Sequence, residues 1–374
     1  MKITALMFTV LRHRLAKRYG DAQGLKTHRT TLVVRIDTDA GLVGWGDISN
    51  TRNDINVGHL REAKDALVGR DPLCAAPLVR RLGPLGTRIA AGVDVALADI
   101  RGKAAGMNLA TLLGGAYRDA QPCYASLQNA TDDADPLAAA VAEAETAMLL
   151  GFRHIKMKVG WHHMDVDARW VNAVIAALPE TVDLAIDANR VLDIAGSERL
   201  IRGIAQPQRI SWFEEPLSNR HPAAYAELRR RISVPVAGAE SMPMAMIEQV
   251  ITGRMMDIVQ PDLIGHGGFG PMLHMMALCD AHGIRLIPHC FDGQIMRLAT
   301  LHLLASRPDW EEKHGEYSAS PLELDISTNP VRDELLGGPL RPGPDGCLAV
   351  PSGPGLGITV NEDFVQRAGQ QLEL

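Results

Sequence analysis

Six acidic or imidazole side chains recur through the middle of the chain at nearly constant spacing, each closing a short apolar run. They are Asp187 in LAIDAN, Glu214 in SWFEEP, Glu240 in PVAGAE, Asp262 in DIVQPD, His289 in RLIPHC and Glu316 in HGEYS. Successive gaps are 27, 26, 22, 27 and 27 residues, and Lys158 of HIKMKVG stands 29 residues before Asp187. That period is what one strand, one helix and two short loops require, and in such units ligands and catalytic groups gather at the strands' carboxyl ends. One carboxylate at a strand end reads equally as a helix N-cap or a solvated loop acid. Seven chemically active positions in phase read as an active site.

The flanking segments have a different grammar. Residues 2–12, 30–38 and 42–47 read as strands, the last two joined by the turn Asp39-Ala40-Gly41. From about 55 to 116 apolar residues fall at helical spacing, in INVGHLREAKDALVG and the long segment GTRIAAGVDVALADIRGKAAGMNLATLLGG. Strands followed by helices, without alternation, predict an α+β module. From about residue 122, starting at CYASL, strands and helices alternate, which predicts a parallel sheet with enough units to close into a barrel. Beyond Glu316 the chain is rich in Pro and Gly (GGPLRPGPDG, PSGPGLG) and is expected to return to the first module. The expected division is 1–120, 121–330 and 331–374.

Composition excludes several function classes. A net charge of −6 lacks the basic footprint of nucleic-acid binding. No stretch approaches 18 uncharged apolar residues, so no membrane span is expected. The opening MKITALMFTVLRHR lacks the long apolar core and small-residue cleavage site of a signal peptide, and its alternation fits a strand. Five scattered cysteines without a CxxC pair predict a reducing, cytoplasmic setting and no structural zinc.

Asp187, Glu214 and Glu240 end three successive strands with no Cys or His among them, and hard oxygen donors suit Mg²⁺. Lys156 and Lys158, at i and i+2 on one strand, share a face. A buried lysine beside a second cation has its pKa lowered and becomes a usable base; Lys158, nearer the strand's end, is the candidate. Asp262 and His289 end consecutive strands, so the carboxylate can fix the tautomer of the imidazole and make it a competent acid or base. Glu316 follows on the next strand end, placed to donate a hydrogen bond if protonated or to orient a neighbour. Gly265-His266-Gly267-Gly268-Phe269-Gly270 matches GxGxxG, but the confirming acid on the next strand is replaced by His289, so these glycines read as a tight loop before a helix.

With the motifs KMK, DAN, FEEP, GAES, QPD and PHC in this order, preceded by ALADIRGKAAGMNLATLLGG, the chain resembles the enolase superfamily, and within it the mandelate racemase subgroup, over nearly its whole length. The resemblance implies an α/β fold: a modified (β/α)₇β barrel with an α+β capping domain built from N- and C-terminal segments. It implies Mg²⁺ on Asp187, Glu214 and Glu240, Lys158 as base on one face with Lys156 tuning it, and His289 held by Asp262 on the other. Glu316 would hydrogen-bond the enediolate oxygen. Arg14 and Tyr19, in a cationic run expected to form a capping loop, and Asn189 of the DAN motif are the candidate substrate contacts. The alternative for the run 12–19 is a solvated strand end. A second polar capping loop is expected at Ser49–Asn53.

The expected reaction removes the proton next to a carboxylate and then eliminates water from a sugar acid, giving a 2-keto-3-deoxy acid. Racemisation or epimerisation of a 2-hydroxy acid is the alternative. No lysine lies between Met256 and Gly270, where the muconate-lactonizing subgroup carries one, which argues against cycloisomerase and dipeptide epimerase chemistry. A small carboxylate partner and, as in relatives, a dimer or octamer are implied.

Overall fold

Alternating apolar and polar residues carry the first strand much further than its apolar start suggests. In the computed structural model, which describes residues 1–49, 56–127, 130–131, 135–291, 293–311 and 317–374, β1 (Ile3–Asp21) pairs antiparallel with β2 (Gly24–Thr38), and β2 with β3 (Val43–Ser49). The cationic run expected as a loop is therefore mostly strand. His13 pairs with Arg29 and Arg14 with His28, with a register irregularity before Tyr19 meets Lys26. The ladder extends because the polar half of β2 supplies a backbone partner for each of these residues. Of the second expected capping loop, only Ser49 falls within the described residues.

Four helices follow: α1 (Val57–Leu67), α2 (Ala75–Leu82), α3 (Thr87–Ala105) and α4 (Leu109–Leu112). Asn56 caps α1 by accepting from Gly58 N at 2.8 Å, and Gly106, at φ 66°, ends α3 in the left-handed conformation that glycine adopts most easily. α3 is buried on nearly every side, which explains its nearly continuous apolar sequence. It lies directly on β3, where a Cβ on Gly46 would stand 2.0 Å from Gly92 O. Any side chain at Gly46 would push helix and strand apart.

The barrel strands are β4 (Ala120–Ser126), β6 (His154–Lys158), β7 (Asp183–Asp187), β8 (Ile210–Glu214), β9 (Val236–Gly238), β10 (Ile258–Val259), β11 (Arg285–Leu286) and β14 (Leu322–Asp325). Between them run α5 (Pro136–Leu149), α6 (Met164–Ala177), α7 (Ile194–Gly203), α8 (Pro222–Arg231), α9 (Met244–Thr252), α10 (Phe269–His282) and α11 (Gln294–Ala305). All eight strands are parallel, in the order β11-β10-β9-β8-β7-β6-β4-β14. The two ends of this series meet, since Cys290 N, just past β11, donates to Glu323 of β14 at 2.8 Å. The fold is the expected barrel with an α+β cap.

The remaining elements are short. β5 (Ala130–Thr131) pairs with the tip of β1, and β12 (Trp310–Glu311) pairs with β13 (Tyr317–Ser318). After α12 (Pro330–Leu335), β15 (Cys347–Ala349) pairs antiparallel with β4. The chain then passes through α13 (Glu362–Ala368) to β16 (Gly369–Gln371), which adds to the edge of the cap sheet beside β1.

Two buried carboxylates of the cap hold the N-termini of barrel helices. Asp94 of α3 accepts from Phe269 N at 2.7 Å, and Asp47 of β3 accepts from Ile295 N at 3.1 Å and Met296 N at 3.0 Å. Free N–H groups at a helix start attract an anion. At α10 that anion is Asp94, in the place a pyrophosphate would need, which agrees with reading the GxGxxG match as a loop. Burial pushes both acids up from 3.8 to about 6, against the backbone donors and, for Asp47, against Arg297. The folded carboxyl thus holds its proton more tightly than the unfolded one, so its contribution to stability falls as pH rises from about 4 to about 6 and is constant above. Asp47→Asn removes this titration. The stability advantage of wild type over the variant is expected to shrink by up to about 3 kcal/mol between pH 4 and pH 7, read by urea denaturation at each pH. A constant difference would show that Asp47 does not titrate in this range.

Candidate active site

Strand alternation turns His154, Lys156 and Lys158 of β6 into the barrel, while Ile155 and Met157 pack outward into the main core. Tyr124, Ala185, Trp212, Ala237, Ile258 and Ile287 form a separate apolar cluster that floors the interior. Above this dry floor charges interact strongly. Register sets Lys158 beside Asp187, and Asp187 beside Glu214, on neighbouring strands.

Both lysines are taken up by carboxylates. Lys156, fully buried, pairs with Glu214, with Glu323 at 2.9 Å and with Asp187 at 3.8 Å. Lys158 Nζ lies 2.5 Å from Asp187 Oδ2. Burial lowers the Lys158 pKa most, but the carboxylates of Asp187 and Glu214 together outweigh burial and Lys156, so the net shift is upward. This corrects the expectation of a depressed pKa: the neighbouring cation, Lys156, opposes the rise, but the carboxylates outweigh it. Glu214 is further held by Trp212 Nε1 at 3.1 Å and Gln260 Nε2 at 2.8 Å.

Across the mouth, His289 Nδ1 is 3.0 Å from Asp262 Oδ2, the pairing expected from the sequence. Its Nε2 stands 3.7 Å from Glu240 and 3.8 Å from Glu323. Burial disfavours the imidazolium, but Glu240, Glu323 and Asp262 together raise its pKa well above the ordinary value.

The eighth-strand acid differs from the expectation. Glu316 lies outside the described residues, and the parallel strand that closes the series is β14, which carries Glu323. Fully buried, Glu323 links Lys156 to the His289 segment. Its pKa is held far below the usual carboxylate range: burial would raise it, but Lys156, His289 and Cys290 N outweigh that. Glu323 is thus held as an anion in the described site. The missed signal was Leu322-Glu323-Leu324-Asp325, an alternating strand with both acids on one face.

Among the candidate substrate contacts, Asn189 belongs to the site. Its backbone N–H donates to Asp187 Oδ1 at 2.8 Å, and its side-chain Oδ1 is buried with no hydrogen-bond partner among the described residues. Ser126 Oγ, at the end of β4 and in register with Lys156, is likewise buried and unsatisfied. Such atoms are costly unless a polar ligand meets them. Arg14 is exposed on the ribbon. Tyr19 is in β1, but its side chain lies outside the described residues. The ribbon tip does reach the site, since Gln23 Nε2 donates to Asn189 O at 3.0 Å.

As they stand, no three acids or imidazoles among the described residues converge closely enough to hold a metal, because lysines occupy the carboxylates of Asp187 and Glu214. The chemistry of the donors nevertheless suits a cation. The carboxylates of Asp187, Glu214 and Glu240 are hard oxygen donors gathered at one barrel mouth with Asp262 and Glu323, and burial, then Glu240, pushes the neighbouring Glu215 up to about 8. Such an all-oxygen set fits a hard divalent ion.

Residues 139–364 match the family described as enolase C-terminal domain-like, and residues 12–114 match the mandelate racemase/muconate lactonizing enzyme N-terminal domain. The chain belongs to the enolase superfamily, in its mandelate racemase subgroup. Within it, the chain is 32% identical to D-galactarolactone cycloisomerase of Agrobacterium fabrum over 97% of both proteins. It is 30% identical to D-galactonate dehydratase of Ralstonia nicotianae over 89% of this chain and 90% of that protein. The structure of L-talarate/galactarate dehydratase from Salmonella typhimurium LT2, liganded with Mg and L-lyxarohydroxamate, superposes with a TM-score of 0.84 at 28% identity, covering 100% of this chain and 94% of that one. No helix among the described residues is long and apolar enough to cross a membrane.

Proposed function

We propose that this enolase-superfamily protein removes the α-proton of a sugar acid and expels the β-oxygen, as an acid-sugar dehydratase giving a 2-keto-3-deoxy acid. The observation that carries the reading is the placement of Lys158 and the His289–Asp262 dyad at the ends of non-adjacent strands around one buried, carboxylate-rich barrel mouth. Asp187, Glu214 and Glu240 are the residues that would hold Mg²⁺. Held there, Mg²⁺ would stabilise negative charge developing on the substrate carboxylate. In its neutral form Lys158 is placed to accept the α-proton, Lys156 keeps Glu214 and Glu323 in position, and His289 is placed to protonate the departing oxygen. The unsatisfied Ser126 Oγ and Asn189 Oδ1 suit a ligand rich in hydroxyls.

The similarity to a galactarolactone cycloisomerase over 97% of both chains favours a second reading. In it the leaving group is the ring oxygen of a sugar-acid lactone, itself a carboxylate that needs no proton from His289. This tempers the sequence argument against cycloisomerase chemistry, which concerned a lysine of the muconate-lactonizing subgroup.

The test is incubation of the Mg²⁺-loaded enzyme with five- and six-carbon aldonates, aldarates and their lactones, with the keto product trapped as its semicarbazone. Product from open acids supports dehydration, and product from lactones alone supports the second reading. Absence of a keto product from every acid and lactone overturns both, and loss of product in EDTA with recovery on adding Mg²⁺ is expected.

A further inference from the structure

The candidate metal acids Asp187, Glu214 and Glu240 each sit beside a loop whose backbone is strained. Asn189 (φ 44°) and Arg190 (φ 69°) follow Asp187, Glu215 (φ 42°) follows Glu214, and Ala239 (φ 80°) precedes Glu240. Side-chain-bearing residues avoid this region, and such conformations persist only where surrounding contacts over-determine them. One side chain touches all three loops. Arg190, in the loop after β7, donates its backbone N–H to Glu215 O at 2.6 Å and sets its Nε 2.9 Å from Glu215 Oε2. Its Nη1 donates to Ser241 Oγ, one residue past Glu240. Glu215 is itself fixed, being fully buried with Oε1 accepting from Asn219 Nδ2 at 3.0 Å.

We propose that Arg190 is a positioning residue that pins the loops after β7, β8 and β9 together and so sets the mutual spacing of Asp187, Glu214 and Glu240. The inference rests on the reading of those three acids as the divalent-cation site. The planar guanidinium suits this task, because one rigid fork serves a carboxylate on one loop and a hydroxyl on another at once. Arg190 touches no reacting atom in this arrangement and acts only through the groups it holds.

The test is calorimetric titration of the metal-free full-length protein with MgCl₂ and with MnCl₂. Arg190→Met is expected to weaken cation binding roughly 10- to 100-fold, the usual range for outer-sphere partners of metal ligands. Arg190→Lys, which keeps the charge but not the fork, is expected to fall between, and Ser241→Ala, a surface change leaving the Arg190–Glu215 pair intact, to give the smallest loss. Circular dichroism and thermal unfolding of the same samples separate a misfolded variant from a folded one with a loosened site. Should Arg190→Met misfold, Arg190→Lys and Ser241→Ala carry the test. Affinities in the folded variants equal to wild type overturn the pin alone. A wild-type protein that binds neither ion overturns the cation-site reading and the pin with it.

Discussion

Lys158→Ala is expected to lower kcat by about 10⁴-fold on substrates whose α-hydrogen faces that side, the upper end of what a positioned proton acceptor contributes. The same variant is expected to bind Mg²⁺ at least as tightly as wild type. Lys158 lies 2.5 Å from Asp187 and competes with any cation for that carboxylate, so its removal leaves a vacant anionic ligand. It also leaves Asp187 buried with only Lys156, at 3.8 Å, as a cationic partner. Breaking a buried pair costs on the order of 3–5 kcal/mol. The variant should therefore unfold at a lower temperature in EDTA and recover when Mg²⁺ is added, since a ligand that binds only the folded state stabilises it. Turnover equal to wild type would remove Lys158 from the role of base.

His289→Asn separates the two halves of the reaction. Asparagine can keep a hydrogen bond to Asp262 but cannot deliver a proton to a departing oxygen. Elimination of water is expected to drop about 10²- to 10⁴-fold, while exchange of the α-hydrogen with deuterium, driven from the Lys158 face, continues. Steady-state rates in water and exchange followed in D₂O give the two numbers. If elimination and exchange both survive, the His289–Asp262 dyad is not the acid. A lactone substrate, whose leaving carboxylate needs no proton, is expected to be much less sensitive to this change.

The barrel was legible because its period and its chemistry coincide. Inward-facing residues at strand ends cannot shift by one position without exchanging core for site, so Lys158, Asp187, Glu214, Asp262 and His289 stood in readable phase. Glu323 was missed because the last unit breaks the period. The β12–β13 hairpin intervenes before the closing strand, and an interval of 27 residues counted from His289 ends at Glu316 instead. The long β1–β2 ribbon was missed for another reason. Past Arg12 its stability comes from backbone pairing with β2, and its exposed side chains carry no apolar alternation to read. The protonation state of Lys158 was equally hidden, because it depends on how close Lys156, Asp187 and Glu214 lie, distances that spacing cannot supply. The clamps from Asp47 and Asp94 to barrel helices span more than 170 residues of sequence and exist only once the cap has docked.

Proton NMR of the Mg²⁺-loaded enzyme in D₂O with six-carbon sugar acids and their lactones shows directly whether the site removes a proton next to a carboxylate and expels the neighbouring oxygen. Loss of the α-proton signal together with a 2-keto-3-deoxy product deuterated at the new methylene is expected. Acid sugars and lactones that keep their α-protons in the presence of folded, Mg²⁺-bound protein would contradict it.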